Sequence, residues 1–341
     1  MRNITRRDFI RVSTLATAAS IAAACGQPAA TPAPAEPTAA PAAKPTIAPI
    51  VGPGGSAAHP TAVPTAEPTA RFSEAPVLAE LVAKGELPPI EERLPENPDV
   101  LQPSEMVGKY GGVMRRGFKG VSDRWGPTKL KATNMTWFNL DLTLRPASAE
   151  SWEINEDASE WTWHLRKGMK WSDGTPHTSA DFRWWYDYHV TNTDITPNIS
   201  TQISTGNPRV LGTMDTPDDF TVIFKFAHPF PLFGFSVIGH ANQPYRPGWF
   251  MEQYHIDFVE DKAALDAKVK EAGFQSWSEY YNDRDLWYLN PERPTTDPWV
   301  ATNALSAELF VMERNPYFWQ VDPDGQQLPY VDTINHRLFE A

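Results

Sequence analysis

The sequence predicts a mixed α/β fold that occupies the chain from about residue 76 to residue 341. Apolar and polar residues alternate over 151–166 and 220–226, which is the pattern of half-buried strands. A capping-box spacing at 178–181 and helical apolar spacing over 261–272 indicate helices. Because strands and helices are interspersed, this class is favoured over a β-sandwich. All 13 Trp lie at or after Trp125, so the hydrophobic core belongs to this part of the chain.

Residues 1–24 have the layout of an export signal. Basic residues, among them Arg6 and Arg7, precede a run of small apolar residues that is too short and too weakly apolar to span a membrane. The segment around Arg6 and Arg7 resembles the twin-arginine motif, which a receptor reads to export folded proteins. Cys25 follows three alanines and resembles the cysteine of a bacterial lipobox, with Ala22 where Leu or Val is usual. We expect Cys25 to be lipidated; the alternative is a plain cleaved signal.

Residues 25–75 are predicted to form a linker that begins with the lipidated cysteine. From position 26 to about 70 the chain consists largely of Pro, Ala and Thr and contains no Phe, Trp or Tyr. Such a segment cannot bury enough apolar surface to offset its ordering entropy, and proline favours extended conformations. At roughly 3 Å per residue it is long enough to cross a cell-wall layer. A neutral linker with no length requirement is the alternative.

The first elements of the folded region are a helix, a loop and a hairpin. A short amphipathic helix starting at 76 should end near Gly85, and a proline-broken loop should follow through 103. Segments 151–155 and 161–166 alternate around a turn and predict a hairpin. Its buried face should carry Trp161, Trp163 and Leu165, with His164 pointing the other way.

Two helices and one strand are predicted further along the chain. Thr178 and Asp181 have the spacing of a capping box, so a helix should begin there. Residues 220–226 should form a strand that ends before Pro229. Residues 261–272 should form a helix that Gly273 stops. The residues expected on one side of that last helix are Ala264, Leu265 and Val269.

Charge and motifs disfavour several classes of function. A net charge of −12 argues against a protein that coats nucleic acid. The single cysteine excludes a disulfide framework and a cysteine-type zinc site. The eight His form no metal-spaced pair, no phosphate-binding Gly-rich loop occurs, and 322–325 is predicted to be a turn rather than a calcium loop. We therefore expect no cofactor and no metal.

The tryptophans have two interpretations. Aromatic faces bind the apolar faces of sugars and cap peptide side chains, whereas large aromatics at alternating strand positions are usually core residues. Trp161 and Trp163 are predicted to be core residues on this basis. Trp125, Trp137 and Trp299 lie near predicted loops and are better candidates for a ligand wall.

Three segments of the chain carry a recognisable family pattern. Residues 147–182 contain Trp-Ser-Asp-Gly-Thr-Pro-His, and residues 313–319 and 327–334 carry Asn-Pro-Tyr-Phe-Trp and Leu-Pro-Tyr-Val-Asp. Residues 109–117 consist of Lys-Tyr-Gly-Gly and a segment that begins with Val and Met, and they resemble the first strand of the folded domain. Together they resemble the extracellular solute-binding proteins of family 5, the dipeptide, oligopeptide and nickel-type binding components of ABC importers, over about residues 100–341.

The resemblance implies a periplasmic-binding-protein-like fold of class II, of the type with an extra N-terminal subdomain. Such proteins have two lobes that close on a ligand about a hinge and deliver it to a membrane permease. Members are commonly much longer, so we expect residues 76–341 to be a truncated first lobe with the second lobe missing. The acidic residue that peptide-binding members use for the ligand amine belongs to the missing half, and none is assigned here.

Eight residues are candidates for the wall of the ligand cleft. Three lie in the loop after the opening strand, two lie a little further along the chain, and two lie in a loop where the family carries Gly-Pro-Tyr. The eighth lies in a proline-flanked segment. The candidates are Gly120, Asp123, Trp125, Asn134, Trp137, Tyr245, Pro298 and Trp299. No catalytic residue is assigned.

We therefore expect the solute-binding component of a peptide-type ABC importer, anchored outside the cytoplasmic membrane through Cys25. Its expected partners are a peptide, oligosaccharide or chelate, the permease and ATPase subunits, and the membrane, but not nucleic acid. One alternative is a carbohydrate-active surface hydrolase, which would need a pair of carboxylates in a pocket. Another is a lipoprotein with a purely structural or interaction role.

Overall fold

The structure, a computed structural model, describes residues 71–131, 133–139, 141–237 and 243–339. These residues all belong to one unit, Ala66–Ala341. The expected signal with Arg6 and Arg7, the expected lipidation site Cys25, and most of the expected linker lie outside the described residues.

Strands and helices are interspersed along the described chain, as the sequence predicts. The strands are β1 Asp99–Val100, β2 Val113–Phe118, β3 Thr136–Phe138, β4 Leu144–Pro146, β5 Ala149–Ile154, β6 Glu160–Leu165, β7 Ser204–Thr205, β8 Val210–Leu211, β9 Thr213–Asp218, β10 Thr221–Lys225, β11 Trp299–Ala301, β12 Leu309–Arg314, β13 Gln320–Val321 and β14 Thr333–Leu338. The α-helices are α1 Pro76–Ala83, α2 Ile90–Arg93, α3 Trp125–Lys131, α4 Ser179–Trp184, α5 Phe233–Ser236, α6 Gly248–Met251, α7 Lys262–Glu271 and α8 Trp277–Arg284. A π-helix, Trp185–Val190, continues α4, and short 3-10 turns lie at Val121–Asp123, Thr201–Ile203 and Glu252–Tyr254.

The predicted hairpin forms one edge of an antiparallel sheet with the order β5-β6-β10-β9, which we call the tryptophan sheet. Trp161, Trp163 and Leu165 are at most 4% exposed, whereas His164 is partly exposed, so the predicted alternation is confirmed. The rings of Trp161 and Trp163 stack at 5.6 Å, and Phe233 of α5 meets Trp161 edge-on at 5.7 Å. This face is the largest core of the described region because both strands contribute bulky side chains to it.

A second four-stranded sheet has the order β11-β12-β14-β2, and we call it the mixed sheet. Its β12 pairs with its neighbours β11 and β14 in antiparallel fashion, whereas β2 runs parallel to β14. A second core packs against it, built on residues such as Phe118, Phe310 and Ile334. The predicted opening strand is confirmed as β2.

The predicted helix starts are confirmed in detail. Thr178 caps α4, and its side chain and that of Asp181 complete a reciprocal capping box. Asp261 caps α7, and Gly273 follows its end with a φ of 82°, which glycine adopts at little cost. The prediction for Ala264 is wrong: it is exposed, because it lies about 100° around the helix from Leu265.

The N-terminal part of the described chain is more ordered than the sequence predicts. Helix α1 is confirmed, but the expected loop through residue 103 contains α2 and β1. The expected linker also extends too far, since Ser73 pairs with Gln326 and Ala75 is fully buried. Pairing with segments far along the chain, which no local sequence pattern shows, fixes both β1 and Ser73.

Within the described residues, no helix combines the length and the apolar character needed to cross a membrane.

Candidate functional site

An apolar cavity of about 450 Å³ lies where several elements of the fold meet. Its walls come from β2, α3, β3, β4, β11 and β13 and from the loops next to these strands and to β1. It is lined by Leu101, Pro103, Met114, Leu130, Thr133, Asn134, Trp137, Arg145, Ala147, Pro298, Trp299, Phe318, Trp319, Gln320, Leu328, Pro329, Tyr330 and Val331. Most of these side chains are hydrophobic or aromatic, as in typical ligand pockets.

The aromatic wall of the apolar cavity is held by two small cores. Trp137 of β3 packs against the cluster of Phe318, Trp319 and Leu328, and Trp299 of β11 packs against the core of the mixed sheet. The indole Nε1 of Trp319 donates to a backbone carbonyl at 3.0 Å. The indole Nε1 of Trp299 is buried and has no hydrogen-bond partner among the described residues. In this part of the chain, the Trp299 ring is therefore positioned by packing and not by a hydrogen bond of its own indole N–H.

A few polar groups of the cavity wall are fixed by the protein. Arg145 donates to Asp99 at 3.0 Å, and Gln320 donates to the same carboxylate at 2.7 Å. Asn134 is fully buried and accepts a hydrogen bond from the backbone N–H of Met135 at 2.8 Å. A small number of oriented polar groups in an apolar pocket is the arrangement that fixes how a ligand lies.

A second cavity, of about 220 Å³, is polar, and we call it the polar cavity. It shares no lining residue with the apolar cavity. It is lined by Arg124, Trp125, Thr128, Gln243, Arg246, Asp285, Leu286, Trp287, Tyr288, Arg293 and Asp297. In the described part of the chain, no group of three or more His, Cys, Asp or Glu side chains is arranged to hold a metal ion.

An ion cluster forms one side of the polar cavity. Asp285 accepts from Nε of Arg246 at 2.7 Å and from Nε of Arg293 at 2.9 Å. Burial alone would raise the pKa of Asp285, but the two arginines outweigh burial and lower this pKa to about 2. His189 is buried near Arg246. Its pKa is lowered to about 3, mainly by burial and secondly by the positive charge of Arg246. The carboxylate is therefore charged and the imidazole neutral at pH 7.

Asp297 lies between the two cavities. Its carboxylate lines the polar cavity and accepts from Thr133 Oγ1 at 2.6 Å, from Thr295 Oγ1 at 2.7 Å and from Gln243 Nε2 at 3.2 Å. Thr133 lines the apolar cavity, as does Pro298, the residue that follows Asp297. The cavities are thus neighbours separated by this hydrogen-bonded group.

The structure brings four of the eight predicted cleft residues together. Asn134, Trp137, Pro298 and Trp299 all line the apolar cavity. Trp125 lines the polar cavity instead.

The other three predicted residues line neither cavity. Tyr245 is 1% exposed in the core of the tryptophan sheet, where its hydroxyl lies 3.0 Å from Thr296 Oγ1 and burial raises its pKa. Gly120 and Asp123 form a turn, in which the φ of 99° at Gly120 requires glycine and the Asp123 carboxylate accepts from Lys119 N–H. We therefore leave these three residues out of the candidate site.

Sequence reasoning missed several residues of both cavities. Tyr330 belongs to the Leu-Pro-Tyr block, so a signal for it was present in the sequence. Arg145 and Gln320 carried no local signal. The arginines of the polar cavity lie far apart in sequence, and only the tertiary fold brings them together.

Comparison with known proteins identifies the kind of protein this chain resembles. The profile described as bacterial extracellular solute-binding proteins, family 5 Middle, matches residues 143–341. The periplasmic alpha-galactoside-binding protein of Rhizobium meliloti (strain 1021) is 27% identical over 288 residues, which cover 77% of this chain and 38% of that protein. The periplasmic oligopeptide-binding protein OppA of Escherichia coli (strain K12) is 29% identical over 193 residues, covering 53% of this chain and 30% of OppA.

Solved structures show the same relationship. An oligopeptide-binding protein OppA superposes with a TM-score of 0.73 at 37% identity, covering 79% of this chain and 42% of that one. The periplasmic binding protein MelB of Agrobacterium fabrum C58, solved with stachyose, gives 0.59 at 25% identity, covering 80% and 41%. The predicted periplasmic-binding-protein-like fold is confirmed, and the chain spans about two-fifths of the length of these relatives, which fits a single lobe.

Proposed function

Because the chain belongs to the bacterial extracellular solute-binding proteins of family 5, we propose that it is the extracytoplasmic solute-binding component of an ABC importer. Its solute, a peptide or an oligosaccharide, binds against the apolar cavity. The observation that carries this proposal is the convergence of Trp137, Trp299 and Tyr330 on that cavity. The ABC permease and ATPase are its partners in transport.

The chemistry of the apolar cavity suits a solute with alternating apolar and polar faces. Trp and Tyr rings pack on the apolar faces of pyranoses and on peptide side chains. Arg145 and Gln320, both held by Asp99, offer polar contacts of fixed direction. This lobe supplies one wall, and burial of the solute by a second lobe would favour the closed state.

The named ligands of relatives define the two solute classes to compare. One curated relative is named for alpha-galactosides and one similar structure was solved with stachyose, whereas OppA is named for oligopeptides. We propose binding without chemical change, since the family is a solute-binding transport family. Recovery of the solute intact after prolonged incubation tests that point.

The binding proposal is tested by calorimetry on the purified chain with stachyose and, separately, with a mixture of tri- to pentapeptides. We expect saturable binding of one class, weakened at least about tenfold in Trp137→Ala and Trp299→Ala, because each loses an aromatic contact. Trp249→Ala is the matched control, since Trp249 is 42% exposed and lines neither cavity. Binding that is absent, or that is equally strong in all variants, contradicts the proposal.

We further propose that residues 1–24 direct export and that Cys25 carries the lipid anchor, followed by a linker to the lobe. The support is the sequence: the Arg6-Arg7 pair, the apolar run and the position of the single cysteine. In the native host, Cys25→Ala should abolish incorporation of labelled palmitate and release the protein from membranes. Arg6→Lys combined with Arg7→Lys should stop export. Unchanged membrane attachment of the Cys25 variant contradicts the anchor.

A further inference from the structure

The polar cavity differs from the rest of the molecule in charge. The chain carries a formal charge of −12, yet this cavity is lined by three arginines and two aspartates. Both aspartates are engaged: Asp285 holds two arginines, and Asp297 accepts from Thr133, Thr295 and Gln243. The lining therefore keeps a formal excess of one positive charge inside an acidic protein.

The arginines retain donor groups beyond those that build the cluster. Arg246 uses Nε for Asp285 and Nη1 for the carbonyls of Gln243 and Tyr245. Arg293 uses Nε for Asp285 and Nη1 for the carbonyl of Pro294. These bonds do not use Nη2 of either guanidinium, and both side chains line the cavity. Each guanidinium can therefore offer its Nη2 group as a charged donor to one oxygen of a carboxylate.

A third arginine and an aromatic face lie at the same cavity. The guanidinium of Arg124 lies 5.5 Å from the ring centre of Trp125, whose side chain is 48% exposed. Within the described residues, Arg124 forms no ion pair with a carboxylate, in contrast to Arg246 and Arg293. Arg124 therefore brings a positive charge that no carboxylate of the described residues pairs with, beside an indole surface able to pack on an apolar ring face.

We propose that the polar cavity is a second binding site, separate from the apolar cavity, for a small carboxylate-bearing solute of about the size of a monosaccharide. Arg124 and the cluster of Arg246 and Arg293 receive the carboxylate, and Trp125 packs against the apolar face of the ring. Negative charge is the selected property, because the uncompensated charge of the lining is positive. A neutral sugar of the same shape lacks the group that the arginines bind.

The test compares D-galacturonate with D-galactose, which differ at C6, where one carries a carboxylate and the other a neutral hydroxymethyl group. Calorimetry on the purified full chain measures the affinity for both sugars, and tryptophan fluorescence, to which Trp125 and Trp287 of the cavity wall contribute, is a second readout. We expect galacturonate to bind at least about tenfold more tightly than galactose, and the affinity to fall as salt is raised. Equal affinity for both sugars, or no saturable binding of galacturonate, overturns the proposal.

Arg124→Gln is the decisive variant because Arg124 takes no part in the buried ion cluster, so the fold should survive the change. We expect it to weaken galacturonate binding at least about tenfold. Arg337→Gln is the matched control, since Arg337 is 77% exposed and lines neither cavity. Unchanged affinity in Arg124→Gln overturns the proposal. Binding at the apolar cavity is followed separately through Trp137→Ala, so failure of one site does not imply failure of the other.

Discussion

Replacing His336 with leucine should make the protein more stable. His336 lies in the middle of β14, is fully buried, and sits between Phe310 of β12 and Arg116 of β2. Neither ring nitrogen has a hydrogen-bond partner among the described residues. An unsatisfied buried polar group costs about 1–3 kcal/mol, and imperfect packing of the leucine costs up to about 1.5 kcal/mol. We expect a net gain of about 1–2 kcal/mol in the free energy of unfolding at pH 7.

The gain should widen as the pH falls. Burial first, and the charge of Arg116 second, lower the pKa of His336 from 6.5 to about 4. Between these two values the unfolded chain binds a proton that the folded chain excludes, so wild-type stability falls with falling pH by up to about 1.4 kcal/mol per unit. The leucine variant lacks this loss. The difference between the two proteins should therefore grow by about 3 kcal/mol near pH 4.

Urea unfolding followed by tryptophan fluorescence at several pH values between 7.5 and 4 measures this difference. Other buried histidines, such as His189, are present in both proteins and cancel in the comparison. His164→Leu is the control, because His164 is a partly exposed strand residue, and its effect should stay within about 0.5 kcal/mol. A His336→Leu protein that is less stable at pH 7, or a gap that stays constant with pH, would refute the reasoning.

Three further substitutions follow from buried polar groups. Asp285→Asn should lower the free energy of unfolding by about 3–5 kcal/mol in urea at pH 7, because it leaves two buried arginines without a carboxylate. The pKa of Asp285 is about 2 in the folded chain and 3.8 in the unfolded chain, so this loss of stability should shrink only below about pH 4. A loss under 1 kcal/mol at pH 7 would contradict a structural role for the ion cluster. Thr178→Ala should cost about 1–2 kcal/mol by removing the cap of α4, whereas Thr178→Ser should cost much less; equal thermal stability of the two variants would argue against capping. Glu74→Gln should leave the buried cation of Arg93 without its ion partner and lower the free energy of unfolding by about 2–3 kcal/mol. Limited proteolysis near residue 75 should become faster. An unchanged cleavage rate would show that this contact does not hold the segment in place.

The parts of the fold that sequence predicted are those with strong local signals. The tryptophan hairpin follows from strict alternation, and the start of α4 follows from a capping box that needs only four residues. By contrast, β1 has two residues and no period to detect, and Ser73 is fixed by pairing with Gln326. Such elements depend on partners far along the chain, so no local pattern could reveal them.

The residues of the candidate site also divide into those that the sequence could predict and those that it could not. Trp137 and Trp299 were predicted because they lie near predicted loops and not at the alternating strand positions typical of core residues, and both line the apolar cavity. Tyr245 was expected there on similar grounds but is buried, because a proline-flanked segment can run through a core as well as over a surface. The charge of the polar cavity could not be predicted, since Arg124, Arg246 and Arg293 converge only in the folded chain.

The parallel pairing of β2 with β14 dictates the order in which the lobe can assemble. The two strands are separated by about 220 residues, so β2 has to wait for most of the chain to be synthesised before β14 can pair with it. The strands of the tryptophan sheet all lie between Ala149 and Lys225, so their pairing needs no later strand and can form first on the ribosome. During that interval β2 is an unpaired strand able to pair with other chains, so dilution or a chaperone at this stage should raise the yield of folded protein.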